Sequence, residues 1–164
     1  MKYLGKKSAS HVLKIMLNVF WVFGWLALIG MSLPTIYSIF INYKGLLNAI
    51  FSIGINIIIL NIIFIIYQLR KITNTLIGKN PFSISNVSKF RYIGYSTLII
   101  GILLLTKDIY FKGFNILTIL DAGPGYAKTN IEIYIPFILG ILSLILAEIF
   151  KIGYEIHEEN KLTI

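Results

Sequence analysis

Few residues of the chain could take part in chemistry, and most of them lie in or beside long apolar stretches. Asn56 falls near the middle of one such stretch, and Asn61 follows about a turn later. An amide in the middle of a membrane is costly unless it is paired, so such residues either line a substrate path or join helices. We interpret Asn56 as a structural contact between helices, with a substrate path as the alternative.

A second candidate is an ion pair that involves Glu148. This residue lies at the end of one apolar stretch, and Lys89 and Arg91 lie at the start of another. Charged groups at the edge of a membrane pair with one another, so we predict that Glu148 pairs with Lys89 or Arg91 in a structural role. No Asp, Glu, Lys or Arg falls at the centre of an apolar stretch, which argues against ion-coupled or proton-coupled transport.

The remaining side chains argue against most classes of enzyme and metalloprotein. The chain has no cysteine, which excludes disulfides, iron–sulfur clusters and thiolate–zinc sites. His11 and His157 lie far apart, and no serine–histidine or paired-carboxylate arrangement is present. The glycine–proline–glycine step at 123–125 lacks the spacing of a phosphate-binding loop and predicts a turn. We therefore expect no enzymatic activity, no cofactor and no metal site.

The elements that carry these residues are apolar helices. No charged residue occurs between Lys14 and Lys44 or between Lys44 and Arg70, and both stretches exceed the roughly 20 apolar residues that span a bilayer. Hydrophobic residues make up 57% of the chain and charged residues 13%, and the mean hydropathy is +0.81. The sequence predicts an all-α integral membrane protein with four transmembrane helices in an antiparallel bundle, forming a single domain over residues 1–164. The predicted spans cover about 12–36, 46–69, 86–106 and 131–150, with a cytoplasmic hairpin at 70–91, an outer loop at 106–131 that holds a short interfacial helix over 109–120, and a cytoplasmic tail at 151–164.

Local signals predict a tight hairpin between the second and third spans. Apolar residues continue at helical spacing to Ile77, and Gly78 is a natural helix terminator. Pro81 is expected to hold the turn, because the residue before a proline avoids the helical region. Ser83 is the predicted N-cap of the next helix, so Ser83→Ala is expected to cost about 1 kcal/mol.

The distribution of positive charge predicts the orientation of the chain. Eleven of the 15 lysine and arginine residues fall on the terminal segments and the central hairpin, which places both termini in the cytoplasm of a bacterial cell as part of a multi-pass protein of the cell membrane. The formal net charge of +8 then reflects residues that flank spans, and we expect no direct binding of nucleic acid. Helix extensions would form a cytoplasmic platform that offers Phe82, Phe90, Leu162 and Ile164 to a partner, or that uses them to close the inner end of the bundle.

Two segments resemble a known group. The segment GKNPFS at 78–83, followed by Asn86 and by YIG at 92–94, is similar to the central motif of DUF2975, a bacterial membrane family of unknown function. The tail ENKLTI at 159–164 resembles the closing signature of that family, with Lys161 in place of the usual acidic residue. This substitution puts any charge-dependent role of that position in doubt.

The resemblance implies a four-helix membrane protein and no particular activity. Members are commonly encoded beside a small helix-turn-helix regulator, which implies a regulatory partner. Our hypothesis is a non-enzymatic protein that contacts the lipid bilayer and binds or restrains such a regulator through its inner face. The alternative is an immunity protein or a small-molecule exporter that acts through the helix bundle. Oligomerisation is left open by the sequence.

Overall fold

The structure is a computed structural model that describes residues 9–40, 46–78, 81–113, 120–123 and 126–162. Each of its four helices is long and apolar enough to cross a membrane, so the predicted all-α fold of four membrane-spanning helices is confirmed. The helices are α1 (Ala9–Phe40), α2 (Leu46–Ile77), α3 (Ile84–Lys112) and α4 (Ile131–Leu162), and a two-stranded antiparallel sheet of β1 (Leu120–Gly123) and β2 (Tyr126–Thr129) lies between α3 and α4 in the chain.

The helices are longer than the predicted spans. Helices α1, α2 and α4 have 32 residues each, and α3 has 29. A helix of this length extends over roughly 45 Å at 1.5 Å per residue, whereas the hydrocarbon core of a bilayer is about 30 Å thick. The helices therefore either tilt or extend beyond the hydrocarbon region at one or both ends.

Each helix packs in an antiparallel arrangement on the next helix in the chain. The α3–α4 contact is the most extensive, followed by the α1–α2 contact and then the α2–α3 contact. Among the described residues, no other pair of helices is in extensive contact. The four helices thus follow one another as a row, with α1 and α4 at its flanks.

Small residues explain why α3 and α4 approach so closely. A Cβ atom added at Gly94 would lie 3.1 Å from the carbonyl oxygen of Gly140, and one added at Gly140 would lie 3.2 Å from the carbonyl oxygen of Gly94. Leu144 and Leu98 cover the two glycines from the opposite helices. In membranes, such close backbone approach replaces the hydrophobic effect as the source of helix association.

The two ends of the molecule differ in their connections. We call the end that contains the α2–α3 turn the hairpin end, and the end that contains β1 and β2 the loop end. The helical parts of the hairpin end are residues 9–21 of α1, 70–77 of α2, 84–91 of α3 and 148–162 of α4.

The connection at the loop end differs from the prediction. Helix α3 continues to Lys112 and ends at Gly113, whose φ of 66° lies in the left-handed region that terminates helices. The predicted interfacial helix over 109–120 is corrected at both ends, because residues 109–112 belong to α3 and Leu120 begins β1. Residues 114–119 lie outside the described part of the chain, as do residues 124–125 of the predicted turn. Gly123 pairs with Tyr126 in the sheet.

Candidate functional site at the hairpin end

Charged and aromatic residues form a belt across the row of helices. The belt comprises Trp21 of α1, Arg70 of α2, Arg91 of α3 and Glu148 of α4. The Arg70 guanidinium lies 4.7 Å from the centre of the Trp21 ring, and Arg91 Nη2 lies 2.6 Å from Glu148 Oε1. Helices α2 and α3 are antiparallel, and Thr75 of α2 contacts Asn86 of α3. Arg70 precedes Thr75 by five residues and Arg91 follows Asn86 by five, so the two arginines lie at the same height along the helix pair.

The predicted ion pair of Glu148 is present with one of its two candidates. Arg91 forms the pair, and both side chains are largely exposed. Lys89 points elsewhere and is only 9% exposed, because it takes part in a different contact on the α2 side of α3.

Asn86 is the centre of that contact and is fully buried. Its Nδ2 atom donates to the Thr75 hydroxyl at 2.8 Å and to the Pro81 carbonyl at 2.7 Å, and its Oδ1 atom accepts from the Lys89 ammonium at 3.1 Å. The Thr75 hydroxyl in turn donates to the Ile72 carbonyl at 2.7 Å. One side chain thus joins the end of α2, the turn and the start of α3, and a buried network of this kind is stabilising when all of its groups are satisfied.

The structure corrects the predicted role of Ser83. The residue occupies the N-cap position of α3, with φ −111° and ψ 143°, but its hydroxyl makes no capping hydrogen bond. The Oγ atom is buried and has no partner. The backbone N–H of Asn86 donates instead to the Ser83 carbonyl at 2.9 Å, and the Asn86 amide binds the Pro81 carbonyl. The turn is therefore held by Asn86 rather than by the Ser83 side chain.

The predicted partner-binding phenylalanines pack within the chain. Phe82 and Phe90 both contact Phe150 of α4, with ring centres 5.7 and 4.8 Å apart. A Cβ atom added at Gly153 would lie 2.7 Å from the Phe82 ring, so this glycine makes room for the ring. The three rings, which we call the phenylalanine cluster, fasten α4 to the hairpin, although Phe82 remains 43% exposed.

Helices α4 and α1 extend further beyond the belt than α2 and α3 do, α1 by about 18 Å from Trp21 to Ala9 at 1.5 Å per residue. From Glu148 to Leu162 α4 continues for about 21 Å at 1.5 Å per residue, whereas α2 and α3 reach their turn within about 10 Å of the belt. We call residues 148–162 the α4 projection. Leu162 is its last residue, but the Leu162 side chain and Ile164 lie outside the described part of the structure.

The α4 projection carries two adjacent stripes. Ile149, Ile152 and Ile156 are each more than half exposed, and their spacings of three and four residues place them on one face of the helix. Exposed carboxylates follow the neighbouring stripe and consist of Glu148, Glu155 and Glu159. Glu148 pairs with Arg91 at 2.6 Å, and Glu155 lies 3.9 Å from the Lys151 ammonium. We call this surface the isoleucine–glutamate face, which combines apolar side chains with exposed carboxylates.

A comparison with known families identifies the chain. The sequence model of the family described as "Protein of unknown function (DUF2975)" matches residues 18–164. The chain belongs to this family. No match to a curated protein or to a solved structure was found.

The residues that resemble the DUF2975 motif carry contacts in the structure. Asn86 joins the two sides of the hairpin, Phe82 packs on α4, and Gly94 allows the close α3–α4 crossing. Sequence reasoning noted these residues without assigning their contacts, and it missed Phe150 and Gly153 altogether. The sequence does contain a signal for the role of Asn86. It is a single amide on the apolar side of the first turns of an amphipathic helix, and a buried amide needs a hydrogen-bond partner.

The mid-helix amide of this DUF2975 protein joins α1 to α2. Asn56 Nδ2 donates to the Thr35 hydroxyl and to the Ser52 carbonyl, each at 2.9 Å, and Asn56 Oδ1 is buried without a partner. A cavity of about 240 Å³ is lined in part by Thr35 and Ser52, the two residues that Asn56 contacts, but not by Asn56 itself. The interhelical bond fits the predicted structural role, and the buried, unpaired oxygen is the feature that favours the alternative.

Proposed function

We propose that this protein is a non-enzymatic, multi-pass protein of the bacterial cell membrane that binds and restrains a small cytoplasmic helix-turn-helix transcription regulator. The regulator would dock on the isoleucine–glutamate face of the α4 projection. That face is the observation that carries the proposal, because it combines an exposed apolar stripe with carboxylates on a helix that extends about 10 Å past α2 and α3. Both termini would lie in the cytoplasm, in agreement with the excess of lysine and arginine at the hairpin end.

The charge of the isoleucine–glutamate face is complementary to that of a DNA-binding surface. Such proteins carry clustered lysine and arginine on the surface that contacts DNA, and acidic residues complement that surface in charge. Ile149, Ile152 and Ile156 would supply the apolar centre of the contact, and Glu155 and Glu159 would form its acidic rim. A regulator bound in this way would be unable to contact DNA, so the membrane protein would act by sequestration.

The phenylalanine cluster supports this role because it holds the α4 projection in a fixed position. Phe82 and Phe90 hold α4 against the hairpin through Phe150, and the Arg91–Glu148 pair lies at the same end. A projection that is already ordered loses less conformational entropy when a partner binds. Phe82 and Phe90 thus position the docking helix, and Leu162 and Ile164 stay predicted partner contacts at its end.

The alternative function is immunity or small-molecule export through the bundle. Its specific support is the unpaired Asn56 Oδ1 atom and the neighbouring cavity of about 240 Å³. In that case Asn56 would contact the transported molecule, and the hairpin end would have no role in activity.

One reporter assay separates the two functions. A target promoter of the neighbouring regulator is measured in cells that carry the wild-type protein, a deletion of residues 160–164, or Asn56→Ala. We expect the deletion to abolish regulation at a normal protein level, because it removes the predicted partner contacts Leu162 and Ile164 but no membrane-spanning segment, and we expect Asn56→Ala to leave regulation intact. A silent deletion together with a damaging Asn56→Ala substitution would support the alternative and contradict our proposal.

A further inference from the structure

The interface between α2 and α3 at the hairpin end is polar and buried. Gln68 of α2 is 6% exposed, and Asn86 and Lys89 of α3 are 0% and 9% exposed. Lys71 and Thr75 lie on the same side of α2 as Gln68, at helical spacings of three and four residues. We call these five residues the polar seam. No hydrogen bond joins the Gln68 amide to another residue of the described segments.

Lys89 has no negatively charged partner within the described residues. Its ammonium donates to the neutral Asn86 amide oxygen, and none of the described carboxylates pairs with it. Lys71 is close enough to repel it. A nearly buried charge without a counter-charge is destabilising, so the seam is short of one negative group.

Arg91 pairs with Glu148, so its charge is compensated. The Arg70 guanidinium lies 4.7 Å from the centre of the Trp21 ring of α1, and the Lys71 ammonium lies 4.4 Å from the centre of the Tyr67 ring on its own helix. Both contacts are attractive but leave the charge uncompensated. Arg70 contacts α1, whereas Lys71 lies on the seam side of α2, so the seam itself contains two uncompensated cations, Lys71 and Lys89.

The position of the seam indicates where the negative charge comes from. It lies at the level of the belt, where charged residues mark the edge of the apolar part of the helices. Gln68, Asn86 and Lys89 are buried between α2 and α3, but Lys71 at the edge of the seam is exposed, so a group from outside the helices can reach the seam beside Lys71. Lipid phosphates occupy this depth in a bilayer, and basic pockets between membrane helices bind anionic headgroups.

We propose that the polar seam binds the phosphate group of an anionic phospholipid, with Lys71 and Lys89 as its cationic contacts and Gln68 as a hydrogen-bond donor. Asn86 would hold the Lys89 ammonium in place. This site is independent of the regulator-binding face on α4, since it uses the opposite side of α3. It makes the packing of α2 on α3 depend on the lipid composition of the membrane.

Thermal unfolding of the purified protein tests the site. The full chain in a neutral detergent is supplied with phosphatidylglycerol, with phosphatidylcholine of the same acyl chains, or with inorganic phosphate. A ligand that binds only the folded state raises the unfolding midpoint, so we expect phosphatidylglycerol to raise it and the two other additives to have little effect. Native mass spectrometry of the same samples is expected to show retained phosphatidylglycerol.

Three variants locate the effect. Lys89→Gln and Lys71→Gln are expected to lose most of the shift caused by phosphatidylglycerol, and Lys71 is exposed, so its substitution tests the site even if Lys89→Gln folds poorly. Lys151→Gln removes one positive charge from α4 at the same end and is expected to keep the shift. An equal shift with phosphatidylcholine, an equal loss in Lys151→Gln, or an unchanged shift in Lys71→Gln would each overturn the site. A full shift with inorganic phosphate would show that a free anion, and not a lipid, is bound.

Discussion

The α3–α4 pair and the α1–α2 pair differ in how closely their helices pack. In the apolar window of α3, 33% of the residues are buried, and in that of α4 22%, against 6% in each of α1 and α2. The α3–α4 contact combines two opposed glycines, an ion pair and the phenylalanine cluster. The α1–α2 contact includes the Asn56–Thr35 hydrogen bond, the Arg70 guanidinium over the Trp21 ring, and Gly24 beneath Ile63.

This difference indicates that the two helix pairs have different roles. A closely packed α3–α4 pair gives the α4 projection a rigid support, and α1 and α2 expose most of their apolar side chains, which suits contact with lipid. The surface that we propose for regulator binding lies on the tightly packed pair, so changes that loosen the α3–α4 pair or the hairpin are expected to have larger effects than changes in the α1–α2 contact.

Asn86→Leu is expected to cause the greatest loss of stability. It removes the hydrogen bonds to the Thr75 hydroxyl and the Pro81 carbonyl and leaves the buried Lys89 ammonium without its partner. Leaving buried polar groups unsatisfied costs about 1–3 kcal/mol for each group. The measurement is the free energy of unfolding in detergent. Ser83→Ala serves as the matched control and is expected to cost much less, because the Ser83 hydroxyl makes no capping bond. A larger loss in Ser83→Ala than in Asn86→Leu would show that the turn is held differently.

Gly94→Ala is expected to loosen the α3–α4 pair. The new methyl group would lie 2.7 Å from Leu144 and 3.1 Å from the Gly140 carbonyl oxygen, and overpacking of this kind costs about 1–3 kcal/mol. Gly54→Ala on α2 is the control, since a Cβ atom there meets nothing within 4 Å. The measurement is the unfolding midpoint of each variant in detergent, and we expect a lower midpoint for Gly94→Ala than for Gly54→Ala. Equal midpoints would contradict the assignment of tight packing to the α3–α4 pair.

Asn56→Ala is expected to have a smaller effect on stability. It removes the bond between α1 and α2, and interhelical hydrogen bonds in membrane proteins contribute about 0.6 kcal/mol on average. The control is Asn61→Ala, because Asn61 donates only to the Ile57 carbonyl of its own helix. A loss in Asn56→Ala as large as that in Gly94→Ala would mean that the α1–α2 pair is as tightly coupled as the α3–α4 pair.

Much of the fold follows from local sequence signals. Long uncharged stretches predict the four helices, and helical spacing up to Ile77, with Pro81 and Ser83 after it, predicts where α2 ends and α3 begins. Each of these signals depends on the chemistry of neighbouring residues, which is why the sequence alone is sufficient.

The contacts of the candidate site depend on residues that are distant in the sequence. Phe82 packs on Phe150 and Gly153, and no local pattern indicates which aromatic residue of the last helix faces the hairpin. The residue type of Ser83 predicts a side-chain cap, but the Asn86 backbone N–H donates to the Ser83 carbonyl instead of to the Ser83 hydroxyl. The Asn86 side-chain amide donates to the Pro81 carbonyl and thereby holds the turn. Sequence patterning indicated an ion pair for Glu148, and only the packing of α3 on α4 selects Arg91 over Lys89.

The affinity of the regulator for the isoleucine–glutamate face tests the central claim most directly. The protein in lipid nanodiscs is titrated with the purified helix-turn-helix regulator that the proposal expects a neighbouring gene to encode. The wild type is compared with Ile152→Ser/Ile156→Ser and with the control His157→Ala, which changes an exposed residue of the same helix outside the stripe. We expect the isoleucine variant to bind at least about 10-fold more weakly, equivalent to about 1.4 kcal/mol, and the control to bind like the wild type. Equal affinities for all three proteins, or an equal loss in both variants, would contradict the claim that this face is the docking surface.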